Sequence, residues 1–203
     1  MHKQYQITMK NLEVIESMPG WCTIEKAAKL YDIVIEQNSQ LTIELGVFGG
    51  RSLLPLAFAH KHKDSGVVIG VDAWNKYASL EGTNDPANDD WWEKIDYNEI
   101  YDGCAKAIND NHLFNWCSII RMKSEQFAIL CPNNSVDVIH ADSNHSEEIT
   151  TKEVELFLPK LKSGGIWIAD DTGWPTLQKA INMLSEHCDV LEKHDNYMIF
   201  KKK

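Results

Sequence analysis

The stretch LTIELGVFGGRS, residues 41–52, decides the predicted fold. Its apolar start, with Glu44 near the end, is typical of a buried strand, and the glycines predict a tight turn into a helix near Ser52. The spacing E-x-G-x-x-x-G-x-S differs from the dinucleotide fingerprint G-x-G-x-x-G, because Phe48 stands where the second glycine would admit a pyrophosphate. The stretch therefore indicates a loop for a nucleotide-type cofactor. A turn that serves only packing is the alternative.

Strand and helix patterns alternate along the rest of the chain. Apolar runs predict strands at residues 41–45, 67–71, 117–122, 136–141 and 166–169. Because helical patterns separate these runs, we expect an α/β fold with a mostly parallel sheet covered by helices on both faces. Residues 189–193 and 197–201 predict an antiparallel hairpin at the end of the chain. We interpret residues 1–22 as a lead-in and residues 23–203 as a single domain with an insertion at about 73–101.

Composition excludes several classes of protein. The chain has 203 residues and a formal net charge of -10, which argues against nucleic-acid binding because phosphates require a basic face. The five cysteines are scattered without a C-x-x-C pair, so neither a disulfide framework nor a zinc site is indicated. No apolar run resembles a signal peptide or approaches the roughly 20 residues of a membrane span. We therefore expect a cytoplasmic protein that binds neither nucleic acid nor membranes.

Carboxylates follow three of the predicted strands, at Asp72, at Asp142 and at the pair Asp170 and Asp171. The carboxyl ends of parallel strands meet at one edge of a sheet, where ligands bind beside the topological switch point. If the fourth and fifth strands are neighbours, their ends lie about 5 Å apart, and the acids there could share one cation. Mg²⁺ accepts such oxygen ligands. Aspartates that cap helices and face water are the alternative.

The sequence resembles class I S-adenosylmethionine-dependent methyltransferases, and within them the metal-dependent small-molecule O-methyltransferases of the macrocin type. More distantly it is similar to catechol O-methyltransferase. The glycine stretch carries this resemblance together with the segment DSNHS at 142–146, the glycine pair at 164–165 and the strand that closes on Asp170 and Asp171. The resemblance implies a Rossmann-like doubly wound sheet whose last strand inserts antiparallel.

The resemblance also implies roles for the acids and for one histidine. It makes Asp142, Asp170 and Asp171 the Mg²⁺ ligands and places Asp142 and His145 in the catalytic site. His145 would be the general base, and an ordinary pKa of about 6.5 suits that task. Catechol-type relatives have a lysine at this position. His140 is a competing candidate, but it falls inside a strand and is expected to face the packing layer of the sheet.

Further site residues come from the same resemblance. The residues predicted to contact S-adenosylmethionine are Glu44, Gly46, Gly50, Ser52, Asp72, Ser124, Glu125 and Asp142. Glu44 and the glycines would lie near the methionine end, Asp72 near the ribose, and Ser124 and Glu125 near adenine. Ser124 could instead serve only as a helix cap. From their place in the loops above the same sheet edge, and not from the resemblance, Trp74 and Trp174 are predicted to contact substrate.

These observations predict a Mg²⁺-dependent enzyme that transfers the methyl group of S-adenosylmethionine to a hydroxyl of a small sugar-, polyketide- or catechol-like diol. A metal-dependent hydrolase, a nicotinamide enzyme and a non-catalytic nucleotide-cofactor-binding protein remain alternatives. The paired tryptophans Trp91 and Trp92 belong to the core, to a substrate loop or to a homodimer contact.

Overall fold

A seven-stranded sheet forms the centre of the computed structural model, which describes residues 6–203. The strands are β1 Leu41–Leu45, β2 Val67–Asp72, β3 Cys117–Arg121, β4 Val136–Ala141, β5 Leu161–Asp170, β6 Cys188–Lys193 and β7 Tyr197–Lys202. Their order is β3-β2-β1-β4-β5-β7-β6, and β7 alone runs antiparallel to both of its neighbours. The predicted α/β class, the parallel sheet and the terminal hairpin are confirmed.

Helices cover both faces of this sheet. They are α1 Met9–Ser17, α2 Ile24–Glu36, α3 Leu53–Lys63, α4 Lys76–Ser79, α5 Pro86–Trp92, α6 Tyr97–Asp110, α7 Ser124–Leu130, α8 Glu147–Phe157 and α9 Gln178–His187. Successive strand residues point to opposite faces. Accordingly Val138 packs in the core beneath α1, α2, α3 and α6, whereas Ile139 packs in the core beneath α7, α8 and α9.

The first turns of four helices differ in how they are capped. Thr23 and Ser146 accept hydrogen bonds from backbone amides of α2 and α8. Ser52 precedes α3 but makes no capping bond, because its own backbone is already helical (φ -91°, ψ -25°) and a cap requires an extended residue. Ser124 is the first residue within α7, one position beyond the capping residue Lys123.

The sheet reverses its winding between β1 and β4, so the crevice above these strands is the expected ligand position. β4 and β5 are neighbours, with Ala141 paired to Ala169, which brings the acids after both strands together. β5 is longer than predicted and includes both glycines of the pair at 164–165, with a register shift between Val136 and Val138. Within residues 6–203, no helix is both long and apolar enough to cross a membrane.

Candidate functional site

A cavity opens above the carboxyl ends of β1 to β4 and encloses about 870 Å³, part of it continuous with solvent. The predicted site residues that line it are Gly46, Asp72, Trp74, Ser124, Glu125, Asp142 and His145. Glu44, Gly50, Ser52, Asp171 and Trp174 lie outside this lining, and Asp170 borders a smaller neighbouring cavity. The structure thus brings most of the predicted cofactor residues and the predicted base to one cavity.

Asp72 fixes the glycine loop at the cavity wall. Its Oδ2 accepts hydrogen bonds from the backbone amides of Val47 and Phe48, each at 2.9 Å, and its Oδ1 accepts one from Trp74 N at 2.7 Å. Phe48 adopts the left-handed conformation (φ 47°), and these bonds hold it there. A carboxylate has about four acceptor positions, so these three bonds leave roughly one of them unused.

The two glycines of the loop have separate reasons to be glycine. Both have positive φ, and a Cβ on Gly46 would lie 2.0 Å from the carbonyl oxygen of Asp142. A Cβ on Gly50 would meet Cys104 Sγ at 2.8 Å. Gly46 therefore permits the β1 and β4 loops to approach at the cavity floor, whereas Gly50 permits packing against α6.

Glu44 lies beneath the cavity floor in a fully buried pair with His140, whose Nδ1 is 2.8 Å from Glu44 Oε1. Glu44 Oε2 and His140 Nε2 have no hydrogen-bond partner among the described residues. His140 Nε2 faces Asp170 Oδ2 at 3.8 Å. As expected, His140 points into the interior, and it does not line the large cavity.

The inner cluster, defined here as His140, Asp142 and Asp170, offers one possible ligand atom from each residue within 4.8 Å. Lys26 of α2 forms a buried ion pair with Asp170. Burial opposes both charges, but Asp142 and Asp170 raise the pKa of Lys26, while Lys26 and His140 bring the pKa of Asp170 below its ordinary value. Burial and the charge of Asp170 raise the pKa of Asp142 well above its ordinary value.

The outer cluster consists of Asp142, His145 and Asp171, again with ligand atoms within 4.8 Å. His145 Nε2 lies 2.9 Å from Asp171 Oδ2, with side chains 16% and 30% exposed. The ring of Trp174 packs against His145 at 4.7 Å between centroids. The three predicted metal ligands are therefore divided between two clusters that share Asp142. The outer donor set of two carboxylates and an imidazole fits a divalent cation.

Aromatic side chains meet at the rim of the cavity. The aromatic cluster, defined as Trp21, Phe48, Trp91 and Trp92, joins the N-terminal segment, the glycine loop and the insertion, with Trp21 5.0 Å from Trp91 and 5.4 Å from Phe48. Phe48 and Trp92 line the cavity, and Trp21 is 66% exposed. Trp74, which was predicted to contact substrate, also borders the cavity, but its side chain is buried and its indole donates a hydrogen bond to Phe48 O at 2.9 Å.

Comparison with known proteins identifies the family. A family model described as "Methyltransferase domain" matches residues 43–172, from β1 to just beyond β5. The chain belongs to this methyltransferase family. The match confirms the predicted relationship to class I methyltransferases and the predicted enzyme class. No curated protein matches the chain significantly.

Solved methyltransferase structures share the fold of the chain at low sequence identity. The SAH-bound methyltransferase PaMTH1 from Podospora anserina has a TM-score of 0.70 and 14% identity, covering 98% of this chain and 90% of its own. The O-methyltransferase TomG from Streptomyces achromogenes, solved with SAM, has a TM-score of 0.68 and 11% identity, with coverage of 98% and 92%. An O-methyltransferase from Bacillus cereus in complex with SAH has a TM-score of 0.66 and 15% identity, covering 97% of this chain and 92% of its own.

The sequence did not predict that two charged residues, Lys26 and Glu153, are buried beside the site of this methyltransferase. Lys26 is 3% exposed and Glu153 is 4% exposed, although both types are usually solvated. Glu153 of α8 accepts from Ser143 Oγ at 2.6 Å and borders the cavity. Its burial raises its pKa to about 7, partly opposed by the hydroxyls of Ser124 and Ser143. Their burial could have been predicted from the sequence, because each lies next to an apolar residue of the buried helix face, Ala27 in α2 and Val154 in α8.

Proposed function

We propose that this methyltransferase transfers the methyl group of S-adenosylmethionine to a hydroxyl oxygen of a small molecule, with a divalent cation such as Mg²⁺ at the outer cluster. The observation that carries the proposal is that Asp72, Gly46 and Glu125 share one cavity with Asp142 and His145. The structural neighbours TomG and the Bacillus cereus enzyme, each described as an O-methyltransferase, support the same reaction class.

We propose one contact in the cavity for each part of the cofactor. Asp72 has about one free acceptor position for a ribose hydroxyl. Ser124 and Glu125 lie on the wall formed after β3, where adenine would bind, and Gly46 is at the floor beside Asp142, toward the methionine end. Glu44, Gly50 and Ser52 would act indirectly, Glu44 through its buried pair with His140 and Gly50 by letting the loop pack against α6.

His145 is the proposed general base. Asp171 holds the ring at 2.9 Å and would stabilise the imidazolium that forms when His145 takes the proton of the acceptor hydroxyl. The oxygen would then accept the methyl group of bound S-adenosylmethionine, whose bond from that carbon to sulfur would break to release S-adenosylhomocysteine. A positioned base of this kind contributes about 10²–10⁴-fold to the rate, and positioning of the two reactants supplies further acceleration.

The outer cluster would hold the metal through the carboxylates of Asp142 and Asp171, which leaves the imidazole of His145 free to take the proton. When bound, the ion would favour the alkoxide of the acceptor by electrostatic stabilisation. Asp170 is less available as a ligand than the sequence suggested, because Lys26 takes its Oδ2 and the backbone amide of Asp171 donates to its Oδ1 at 3.1 Å. We therefore propose that Asp170 supports the site from the inner side.

A ligand panel followed by a turnover assay tests this function. We expect S-adenosylhomocysteine to raise the melting temperature and NAD to leave it unchanged, because only a ligand of the native state stabilises it. Labelled S-adenosylmethionine should then transfer its methyl group to a diol from a panel of catechols, sugars and polyketides, and chelator should stop the transfer. A response to NAD alone would overturn the reaction class, and full turnover in excess chelator would overturn the metal requirement.

A further inference from the structure

Lys26 occupies an unusual position for a lysine of an amphipathic helix. It lies in the first turn of α2, where its backbone amide donates to Thr23 Oγ1 at 3.2 Å, and its side chain enters the interior. There its ammonium group pairs with Asp170, which follows it by 144 residues in the chain. A buried lysine requires compensating charges because its desolvation is costly.

The ammonium group of Lys26 is surrounded by side chains of the kinds that bind cations. Asp170 pairs with this ammonium group, and one ligand atom of each of Asp170, Asp142 and His140 lies within 4.8 Å of the other two. His140 Nε2 is fully buried, has no hydrogen-bond partner among the described residues and faces Asp170 at 3.8 Å. Two carboxylates and this imidazole nitrogen therefore converge on a point that already has a positive charge beside it.

We propose that Lys26 is the resident cation of the inner cluster, where it holds Asp170, and that its charge weakens the binding of a divalent cation at the adjoining outer cluster. The metal part of this inference rests on the proposed function. Asp142 belongs to both clusters, so an ion that engages Asp142 must compete with the positive charge of Lys26. In a poorly hydrated site this repulsion is strong.

Direct metal titration of the full chain tests the competition. Mn²⁺ binding would be measured by calorimetry for the unsubstituted protein, for Lys26→Met and for Lys29→Met. Lys29 is the matched control because it lies on the same helix and pairs with Glu192 outside both clusters. We expect Lys26→Met to bind Mn²⁺ at least about tenfold more tightly, whereas Lys29→Met should match the unsubstituted protein. Equal or weaker binding by folded Lys26→Met, or no binding by any of the three proteins, would overturn the proposal.

A second measurement needs no destabilised variant. The ¹⁵N ammonium resonance of Lys26 would be followed in the unsubstituted protein during a Mg²⁺ titration, with Lys26→Arg used for assignment. Competition predicts that the Lys26 resonance moves as the metal site fills, while that of Lys29 stays in place. An unmoved Lys26 resonance at the Mg²⁺ concentration that saturates binding would overturn the proposal. Failure of the proposed function would appear separately, as absent S-adenosylhomocysteine binding or absent methyl transfer.

Discussion

The inner cluster lies in the interior under the edge of the sheet, whereas the outer cluster adjoins the open cavity, although Asp142 belongs to both. In the inner cluster Asp170 is compensated by the buried ammonium of Lys26. In the outer cluster Asp171 has the half-buried imidazole of His145 as its partner. Neighbouring aspartates are therefore expected to serve two purposes. Asp170, whose buried charge is compensated by Lys26, fixes the local geometry, whereas Asp171 holds an accessible imidazole that can exchange a proton with a substrate.

The largest expected effect concerns the outer cluster. His145→Ala should lower methyl transfer by about 10²–10⁴-fold, since it removes the proposed base. Binding of S-adenosylhomocysteine should persist, because the glycine loop and Asp72 are unchanged. His194→Ala is the control, since His194 also pairs with a carboxylate but lies on the terminal hairpin turn. Undiminished transfer by His145→Ala would remove this residue from the mechanism.

The second prediction compares how much an aspartate of each cluster contributes to the free energy of unfolding. Asp170→Asn should lower the free energy of unfolding by about 3–5 kcal/mol, because it leaves the buried Lys26 charge without its partner. Asp171→Asn should cost less than about 1 kcal/mol, since its pair with His145 is partly exposed. Asparagine is chosen because Asp171 has φ 51°, which asparagine tolerates. Urea denaturation measures both variants, and equal losses would contradict the division into a structural and a functional cluster.

Glu153 is another buried carboxylate near this edge, and no lysine pairs with it among the described residues. Burial raises its pKa to about 7, with Glu125 and Asp72 adding to the effect, whereas Lys26 and His140 turn the pKa of Asp170 downward. A folded-state pKa above the ordinary value of 4.5 means that Glu153 contributes most stability below pH 4.5 and loses that contribution as the pH rises to about 7.

Glu153→Gln should therefore change the pH dependence of stability. The free energy of unfolding of the unsubstituted protein, minus that of the variant, should fall by up to about 3 kcal/mol between pH 4.5 and 7. It should be constant above that range. Urea unfolding at pH 5, 6, 7 and 8 measures this difference, and a difference independent of pH would show that Glu153 does not titrate as a buried group.

Sequence patterns were sufficient for features that depend on local periodicity. Apolar runs predicted the parallel strands, and the rule that their carboxyl ends meet at one edge correctly predicted that Asp72, Asp142 and Asp170 lie at the same edge. Lys26 could not be found in this way, because its partner is distant in the chain and a helical lysine is normally solvated. The same rule predicted a single acidic cluster at this edge. The order of the strands does not show that Lys26 forms an ion pair with Asp170 and so separates it from the outer cluster.

The smallest effect concerns how the outer cluster is held. The ring of Trp174 packs on His145 at 4.7 Å and lies outside the cavity lining. If Trp174 only positions His145, Trp174→Ala should lower kcat by about 2- to 10-fold, which corresponds to the 0.5–1.5 kcal/mol of an aromatic contact, with KM unchanged. Trp174→Phe should retain most of the turnover because it keeps a ring against the imidazole. A rise in KM with unchanged kcat would instead make Trp174 a substrate contact, as the sequence predicted, because it would mean that uniform binding was lost.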